Sequence, residues 1–458
     1  MFLKNYLYPV LLSCLFLNIS LLKAQNTPVE PCGYDYEIQK ILQKYPAFAT
    51  EQKALYDAAH SEYLNLSSAK RRVVADTEYY EIPVVFHVIY NTGAQNISDN
   101  LILSQLNELN LDFRKQNPDT TRIRSIFRPL AADVRIQFKL ADKDPNGNTT
   151  TGINRIQTSK TTFAINTYGQ YTEDMKYTAN GGYDAWDPTA YLNIWICNME
   201  YPNYIGITYG FATPPTGAPN WSQFPGSTRD STNITSGVVL HYKIVGKNNP
   251  LAPSNYKEGN SATHEVGHYL GMRHIWGDAV NPSSQGCNVD DGIFDTPNAR
   301  DKNYSCGNPN LNTCTDASND KPDMTENYMD YALDGCAAMF TREQAFIMRY
   351  VLQNFRTGLP FRKITYDTFP DPNNSVYLFP NPGKASESTK IQINSTEGNK
   401  DFKVEVFDAT GKCVISGLYM SNKAHELPLT AFYSLVYYVR VYTTDGRVIS
   451  TQKLVLVP

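Results

Sequence analysis

Histidine is scarce in this 458-residue chain, seven in all, and charge is modest, with Asp, Glu, Lys and Arg making up 19%. No block of like charge occurs, and the formal net charge is only −4. That balance gives no reason to expect a nucleic acid or an anionic membrane as partner. Internal repeats are absent. Beyond the N-terminal segment no stretch is long and apolar enough to cross a bilayer, so no integral membrane segment is expected. What is present is core material: 41% of residues are hydrophobic, and the length suggests two or three folded units.

The N-terminal segment reads as a leader. Lys4 supplies a positive start, Tyr6 to Leu22 are largely apolar, and Ala24 offers a small residue before a cut at Gln25. This pattern predicts a secretory signal peptide at 1–24 and therefore an exported protein. Asn18 and Ser20 interrupt the run and Lys23 ends it, which argues against a membrane anchor. Leu11-Leu12-Ser13-Cys14 comes too early, inside the run, to be a lipoprotein site. Cys14 leaves with the leader. Cys287, Cys306, Cys314 and Cys336 cluster in an exported chain, where disulfides form; four cysteines allow three pairings and the sequence does not choose among them. Cys197, among apolar residues, and Cys413, without an obvious partner, read as packing thiols.

Residues 25–72 carry helical patterning over Tyr36–Tyr45 and Thr50–Tyr63 and end in Lys70-Arg71-Arg72. A basic cluster ahead of a strong strand suits a processing site after a pro-segment; an ordinary solvated helix end is the alternative. A main domain over 73–360 then opens with a strand at Ile82–Tyr90. Ser98 suits an N-cap for a helix carrying Ile102, Leu106, Leu109 and Phe113 at helical spacing. Val134–Leu140, Tyr191–Met199 and Gly237–Tyr242 are further strand candidates, and the order of strands is not fixed by the pattern. Residues 361–375, with Asp371-Pro372-Asn373-Asn374, read as a linker. Short alternating strands (Lys403–Phe407, Tyr437–Tyr442, Gln452–Val457), broken by turn signals such as Asp445-Gly446, then predict a small all-β sandwich over 376–458.

The chemistry concentrates in His264-Glu265-Val266-Gly267-His268-Tyr269-Leu270-Gly271-Met272-Arg273-His274, which takes three of the seven histidines. His264 and His268, four apart, share one helix face and can grip one metal ion. Glu265 swings to the side, near enough to reach a water without being a ligand. Gly271 can adopt a left-handed conformation, end the helix and let His274 return as third ligand. Three imidazoles with an open fourth position describe a catalytic zinc site, whereas a structural site would be closed by protein. His87 and His241, on expected strands, read as structural, and His60 and His425 as exposed.

This segment resembles the extended zinc motif of metzincins, and Asn327-Tyr328-Met329-Asp330-Tyr331 resembles their Met-turn. With the four cysteines and Asp295-Thr296-Pro297, the chain is similar to the pappalysin family and its ulilysin-like bacterial branch over roughly residues 80–355. The resemblance implies an α+β fold, a twisted mixed sheet plus the zinc helix, and a zinc endopeptidase acting on protein or peptide substrates. It implies Met329 beneath the metal, Tyr331 as donor to the oxyanion, and disulfides Cys287–Cys314 and Cys306–Cys336. Asp291 and Thr296 resemble a family calcium site; Asp290, Asp291 and Asp295 would serve equally as solvated turn residues. Family members often prefer a basic residue after the cut, and Asp334 is a candidate for the matching acid or a plain surface residue. The same preference would suit self-cleavage at Lys70-Arg71-Arg72. The strand at Val238–Tyr242 is a candidate edge for an extended substrate.

Cys32, in the proposed pro-segment, is a candidate latency switch that would occupy the open metal position; a spare thiol is the alternative. Phe379-Pro380-Asn381-Pro382, Val406–Lys412 and the closing Lys453–Val457 resemble the type IX secretion sorting domain. This implies passage through that machinery, then release or attachment at the outer cell surface. Ser434-Leu435-Val436-Tyr437 departs from that pattern, which usually has a Gly before the aromatic. A surface binding protein with a structural zinc is the rival reading, and Glu265 with Tyr331, unneeded at such a site, speaks against it. The Met-turn disfavours a peptidoglycan amidase.

Overall fold

The computed structural model describes residues 31–66, 79–164, 171–200, 208–215, 235–278, 285–316, 320–359, 362–364, 374–381, 383–384, 388–408, 413–429, 436–444 and 448–457. The leader, Lys70-Arg71-Arg72 and Asp445-Gly446 lie outside them.

Two helices come first, α1 (Tyr34–Lys44) and α2 (Phe48–Asn65), matching the helical patterning of that region. The long strand β1 (Tyr79–Tyr90) follows, and its run Val84–Ile89 is buried on both faces, as expected for the centre of a covered sheet. Helix α3 (Asp99–Phe113) starts where the cap predicts, with Ser98 Oγ accepting from Leu101 N at 3.4 Å, and buries Ile102, Leu109 and Phe113. Then come β2 (Ala131–Ala132), β3 (Ile136–Leu140), β4 (Ile153–Gln157), β5 (Leu192–Cys197), β6 (Gly210–Ala212) and β7 (Gly237–His241). Val134 and Arg135 fall outside β3 because Arg135 takes a positive φ of 62°. Helix α4 (Asn260–Tyr269) carries the histidine motif. After it, β8 (Phe340–Thr341) pairs with β2, α5 (Arg342–Asn354) starts at a Thr341/Gln344 capping box, and β9 (Arg362–Ile364) closes the protease part.

The main sheet runs β3-β1-β5-β7-β6, with β4 and β9 also paired to β1. Pairings are parallel except β6 with β7 and β9 with β1, so the sheet is mixed. Two expectations change here. The strand expected at Val238–Tyr242 is not an edge, because β6 covers its outer side antiparallel, so among the described strands the edge on that side is Gly210–Ala212. The sheet also continues to Ile364, inside the segment read as linker.

The C-terminal part is all β: β10 (Asn374–Phe379), β11 (Gly383–Lys384), β12 (Thr389–Ser395), β13 (Asp401–Asp408), β14 (Cys413–Met420), β15 (Ala424–Leu427), β16 (Val436–Thr443) and β17 (Val448–Val457). They form sheets β10-β12-β15 and β11-β17-β16-β13-β14 around a separate core of Ile391, Ile393, Val404, Val406, Val439 and Val441. The fold is α+β followed by a β sandwich. Cys413 is exposed rather than packed, since its strand turns that side chain to solvent. His60 is not simply exposed either: its Nδ1 lies 2.5 Å from Glu343 Oε1 and its ring stacks on Phe294.

Candidate metal centre and catalytic site

Helix α4 presents His264, Glu265 and His268, and it ends at Leu270 because Gly271 turns the chain with φ 94°. The turn brings His274 back to the helix. The three Nε2 atoms lie 3.0, 3.1 and 3.3 Å apart. Each ring's Nδ1 is engaged: His264 with Tyr328 O at 2.6 Å, His268 with Met272 O at 2.8 Å and His274 with Asp278 Oδ1 at 2.5 Å. With the Nδ1 protons donated outward, the three Nε2 lone pairs converge on one point, where a cation can be held. The centre of such a triangle is about 1.8 Å from each nitrogen, just inside the Zn–N distance of about 2.0–2.1 Å, so the donors fit zinc.

The remaining approach is filled by the N-terminal segment. Cys32 Sγ joins the three histidines, all four ligand atoms lying within 4.8 Å of one another, and stands 3.5 Å from Glu265 Oε2. Pro31 and Gly33 pair with the free edge of β6: Tyr209 N donates to Pro31 O at 2.7 Å and Gly33 N to Gly210 O at 2.8 Å, the bridge between Cys32 and Gly210 running parallel. Tyr34 is fully buried, with its ring stacked on His268 at 3.8 Å, and Asp35 Oδ1 is 3.4 Å from His274 Nδ1. Burial pushes the Glu265 carboxyl up to about 8 and raises the Cys32 thiol as well, Glu265 adding to the latter.

Around this centre the packing is close. A Cβ on Gly267 would come within 2.5 Å of Met329 Sδ, so the methionine lies directly against α4. A Cβ on Gly210 would meet Glu265 Cγ at 2.6 Å, so the sheet edge passes beside that carboxylate. Tyr331 OH donates to Cys32 O at 3.3 Å. Asp112, on α3, accepts from Thr263 Oγ1 at 2.6 Å and Tyr328 OH at 2.8 Å, tying α4 to the turn that carries Met329. A cavity of about 40 Å³ remains between Pro31, Tyr209, Tyr256, Tyr331 and Asp334. Asp334 accepts from Glu258 N at 2.7 Å, and burial pushes its carboxyl up to about 7.

The two disulfides are Cys287–Cys314 and Cys306–Cys336. Asp291 is buried, and both its oxygens accept from Thr296 Oγ1, at 3.0 and 2.9 Å. Nearby, the buried oxygens Asp295 Oδ1 and Asn298 Oδ1 lack hydrogen-bond partners. Among the described residues, ligand side chains converge at two places, four in the Cys32–histidine group and three in Asp35–His274–Asp278, and the acids at 290–295 are not among them. Sequence reasoning missed Tyr34, Asp35, Asp112 and Asp278. Only Asp278, four residues after the third histidine, left a readable signal. His87 and His241 are buried away from this centre, bonded to Asn193 and Asn198.

Over residues 176–353 the chain matches the peptidase family described as pregnancy-associated plasma protein-A, and over 377–457 the secretion system C-terminal sorting domain. Among solved structures it is similar to mature mirolysin of Tannerella forsythia in complex with a cleaved peptide, at 41% identity and TM-score 0.53, covering 61% of this chain and 95% of that one. A promirolysin variant of the same organism is 35% identical with TM-score 0.56, covering 72% of this chain and 97% of that one. An extracellular metalloprotease of Arthroderma benhamiae is 24% identical over 315 residues, 69% of this chain and 83% of that one. One of Arthroderma otae is 36% identical over 137 residues, which span 30% of this chain and 46% of that one.

Proposed function

We propose, for a chain that belongs to the pappalysin family of metzincin metalloproteases, that His264, His268 and His274 hold its zinc and that Cys32 keeps the site shut until a pro-segment is removed. The protein is a secreted zinc metalloendopeptidase, extracellular or at the cell surface, with a sorting tail that suggests a dedicated secretion machinery. No helix among the described residues is long and apolar enough to cross a membrane. Its substrates are peptides and proteins.

The observation that carries the latency reading is Cys32 Sγ in the fourth position beside the three histidines, delivered by a segment 233 residues away from Glu265. In this reading 1–24 is the leader, 25–72 the pro-segment and 73–360 together with β9 the catalytic domain, while the linker shortens to 365–373 and the sorting module begins with β10. Zinc, when bound, supplies Lewis-acid polarisation of water and of the scissile carbonyl. Glu265 takes the proton from the attacking water and passes it to the leaving amine. Tyr331 donates to the oxygen on which charge develops; its bond to the Cys32 carbonyl supports that role. Met329 packs under the helix that carries two ligands. An extended substrate adds to the β6 edge that Pro31–Gly33 now occupies.

Two finer readings follow. Asp334, beside Tyr209 and Tyr256 in the small cavity, supports selection of a basic residue just after the cut. Calcium at Asp291 and Thr296 is supported by their burial and by the unpartnered Asp295 and Asn298 oxygens nearby, which a bound ion would satisfy. Cleavage of casein and of an Arg-containing peptide tests the whole reading. Activity must vanish in Glu265→Ala and with a zinc chelator, and a Cys32→Ala precursor must mature faster than the unsubstituted one. A zinc-loaded protein, matured by removal of the pro-segment, that cleaved nothing would return the site to a structural role. Equal rates on Arg and Gln peptides would remove the basic preference, and an unchanged melting temperature with and without calcium would remove that ion.

A further inference from the structure

Beside the metal centre, on the side opposite Asp334, the protease domain presents a platform that its chemistry so far does not use. Tyr171 stacks on Phe211 of the sheet edge at 3.8 Å and 10°, and its hydroxyl donates to Gly33 O at 2.8 Å. Two residues on, Glu173 Oε2 is held 2.8 Å from Lys176 Nζ. Lys176 is itself 2% exposed, spread over the rings of Trp195 and Phe211. Its anchorage leaves the second oxygen, Glu173 Oε1, facing the N-terminal segment. That oxygen is met by an ammonium: Lys40 Nζ lies 2.9 Å from it and over the rings of Tyr36 and Tyr171 at 5.3 and 5.8 Å. Burial works against the charge of Glu173, but Lys176 and Lys40 outweigh it and hold the carboxyl below the usual carboxylate range. Glu37, also bonded to Lys40, is instead pushed up to about 7 by burial and Glu173.

An ionised carboxylate oxygen beside an aromatic face is the ordinary receptor for a lysine or arginine head. Lys40 and Glu37 both belong to α1, so they depart together with the pro-segment, and Glu173, Lys176, Tyr171 and Phe211 stay. The position of this face along the cleft follows from the segment that covers it. Pro31 lies by Tyr209 and Asp334, Cys32 by the histidines, and Gly33 and α1 beyond them over Tyr171 and Glu173.

We propose that Tyr171 and Glu173 form a subsite for a basic side chain on the amino-terminal side of the scissile bond, with Lys40 as its built-in occupant in the precursor. The proposal rests on the zymogen and proteolysis reading above and deepens it. The mature enzyme then selects polypeptides with basic residues on both sides of the cut, a description that a cut ahead of Arg71 or Arg72 within the chain's own Lys70-Arg71-Arg72 satisfies. Lys176 is a positioning residue: it fixes Glu173 and leaves one oxygen for the substrate.

The test uses matured, zinc-loaded enzyme and fluorogenic peptides with Arg after the scissile bond. Lysine is placed in turn at each of the four preceding positions and compared with glutamine. At one position lysine is expected to raise kcat/KM about tenfold, the size of one charge-assisted hydrogen bond. In Glu173→Gln the lysine-to-glutamine ratio falls to near one, and in Glu173→Lys a glutamate at that position is preferred. Reading the ratio within each variant cancels any general loss of activity. Lysine no better than glutamine at all four positions in the unsubstituted enzyme overturns the subsite without any variant. So does a preference that survives Glu173→Gln. Failure to cleave even the glutamine peptides would instead sink the proteolytic reading, and the subsite with it.

Discussion

Replacing Tyr34 by alanine in the precursor should release the enzyme even though the Cys32 thiol is kept. Tyr34 is fully buried, its ring lies 3.8 Å above that of His268 and nearly parallel to it at 7°, and its hydroxyl accepts from Gln52 Nε2 at 3.3 Å. Truncating a buried aromatic costs about 3–5 kcal/mol, including the cavity left behind. The ring is continuous with the main core but belongs to the segment that departs, so the loss falls on docking of the segment. At about 1.4 kcal/mol per decade, the fraction with the segment undocked rises about 10²- to 4 × 10³-fold. Self-activation that proceeds through that open state accelerates in proportion while reclosing stays faster than cleavage. The assay follows conversion of zinc-loaded precursor by gel and by peptide hydrolysis, with the mature form made from the same variant as control. That mature form lacks residue 34 and must match the unsubstituted enzyme in kcat/KM. A Tyr34→Ala precursor that activates within twofold of the unsubstituted rate would refute the idea that ring packing shares the latch with the thiol.

Three further outcomes can be checked. Tyr331→Phe removes the hydroxyl now bonded to the Cys32 carbonyl and should lower kcat about 10²- to 10³-fold with little change in KM; an equal effect on KM alone would argue for a binding role. Gly267→Ala forces a Cβ to within 2.5 Å of Met329 Sδ, and such overpacking should cost about 1–3 kcal/mol and lower the melting temperature by several degrees; an unshifted transition would contradict the packing. Burial pulls His87 down to about 4 and His241 to about 3, so both stay neutral in the fold while the unfolded chain binds protons below about pH 6.5. The contribution of these two histidines is therefore full above about pH 6.5 and is lost as pH drops toward 4, by about 1.4 kcal/mol per unit for each. Urea melts at pH 7 and pH 5 measure this, and His87→Gln should flatten the dependence.

What the sequence determined by itself was local. His264, Glu265 and His268 are placed by helical periodicity alone, and Gly271 supplies the turn that returns His274, so the ligand set needed no knowledge of the sheet. The same holds for the Ser98 cap of α3 and the alternating strands of the sandwich. Edge and centre were not legible, because every strand of a covered sheet reads as a buried run; Val238–Tyr242 reads as a substrate edge, yet β6 lies along it. Nor were the contacts that close the site. Cys32 against Glu265, Lys40 against Glu173 and Asp112 against Tyr328 join segments 233, 133 and 216 residues apart, and no periodicity spans such distances. Tertiary packing alone decides which distant side chains face a given metal ligand, because that depends on where the chain crosses the sheet and which edge it leaves free.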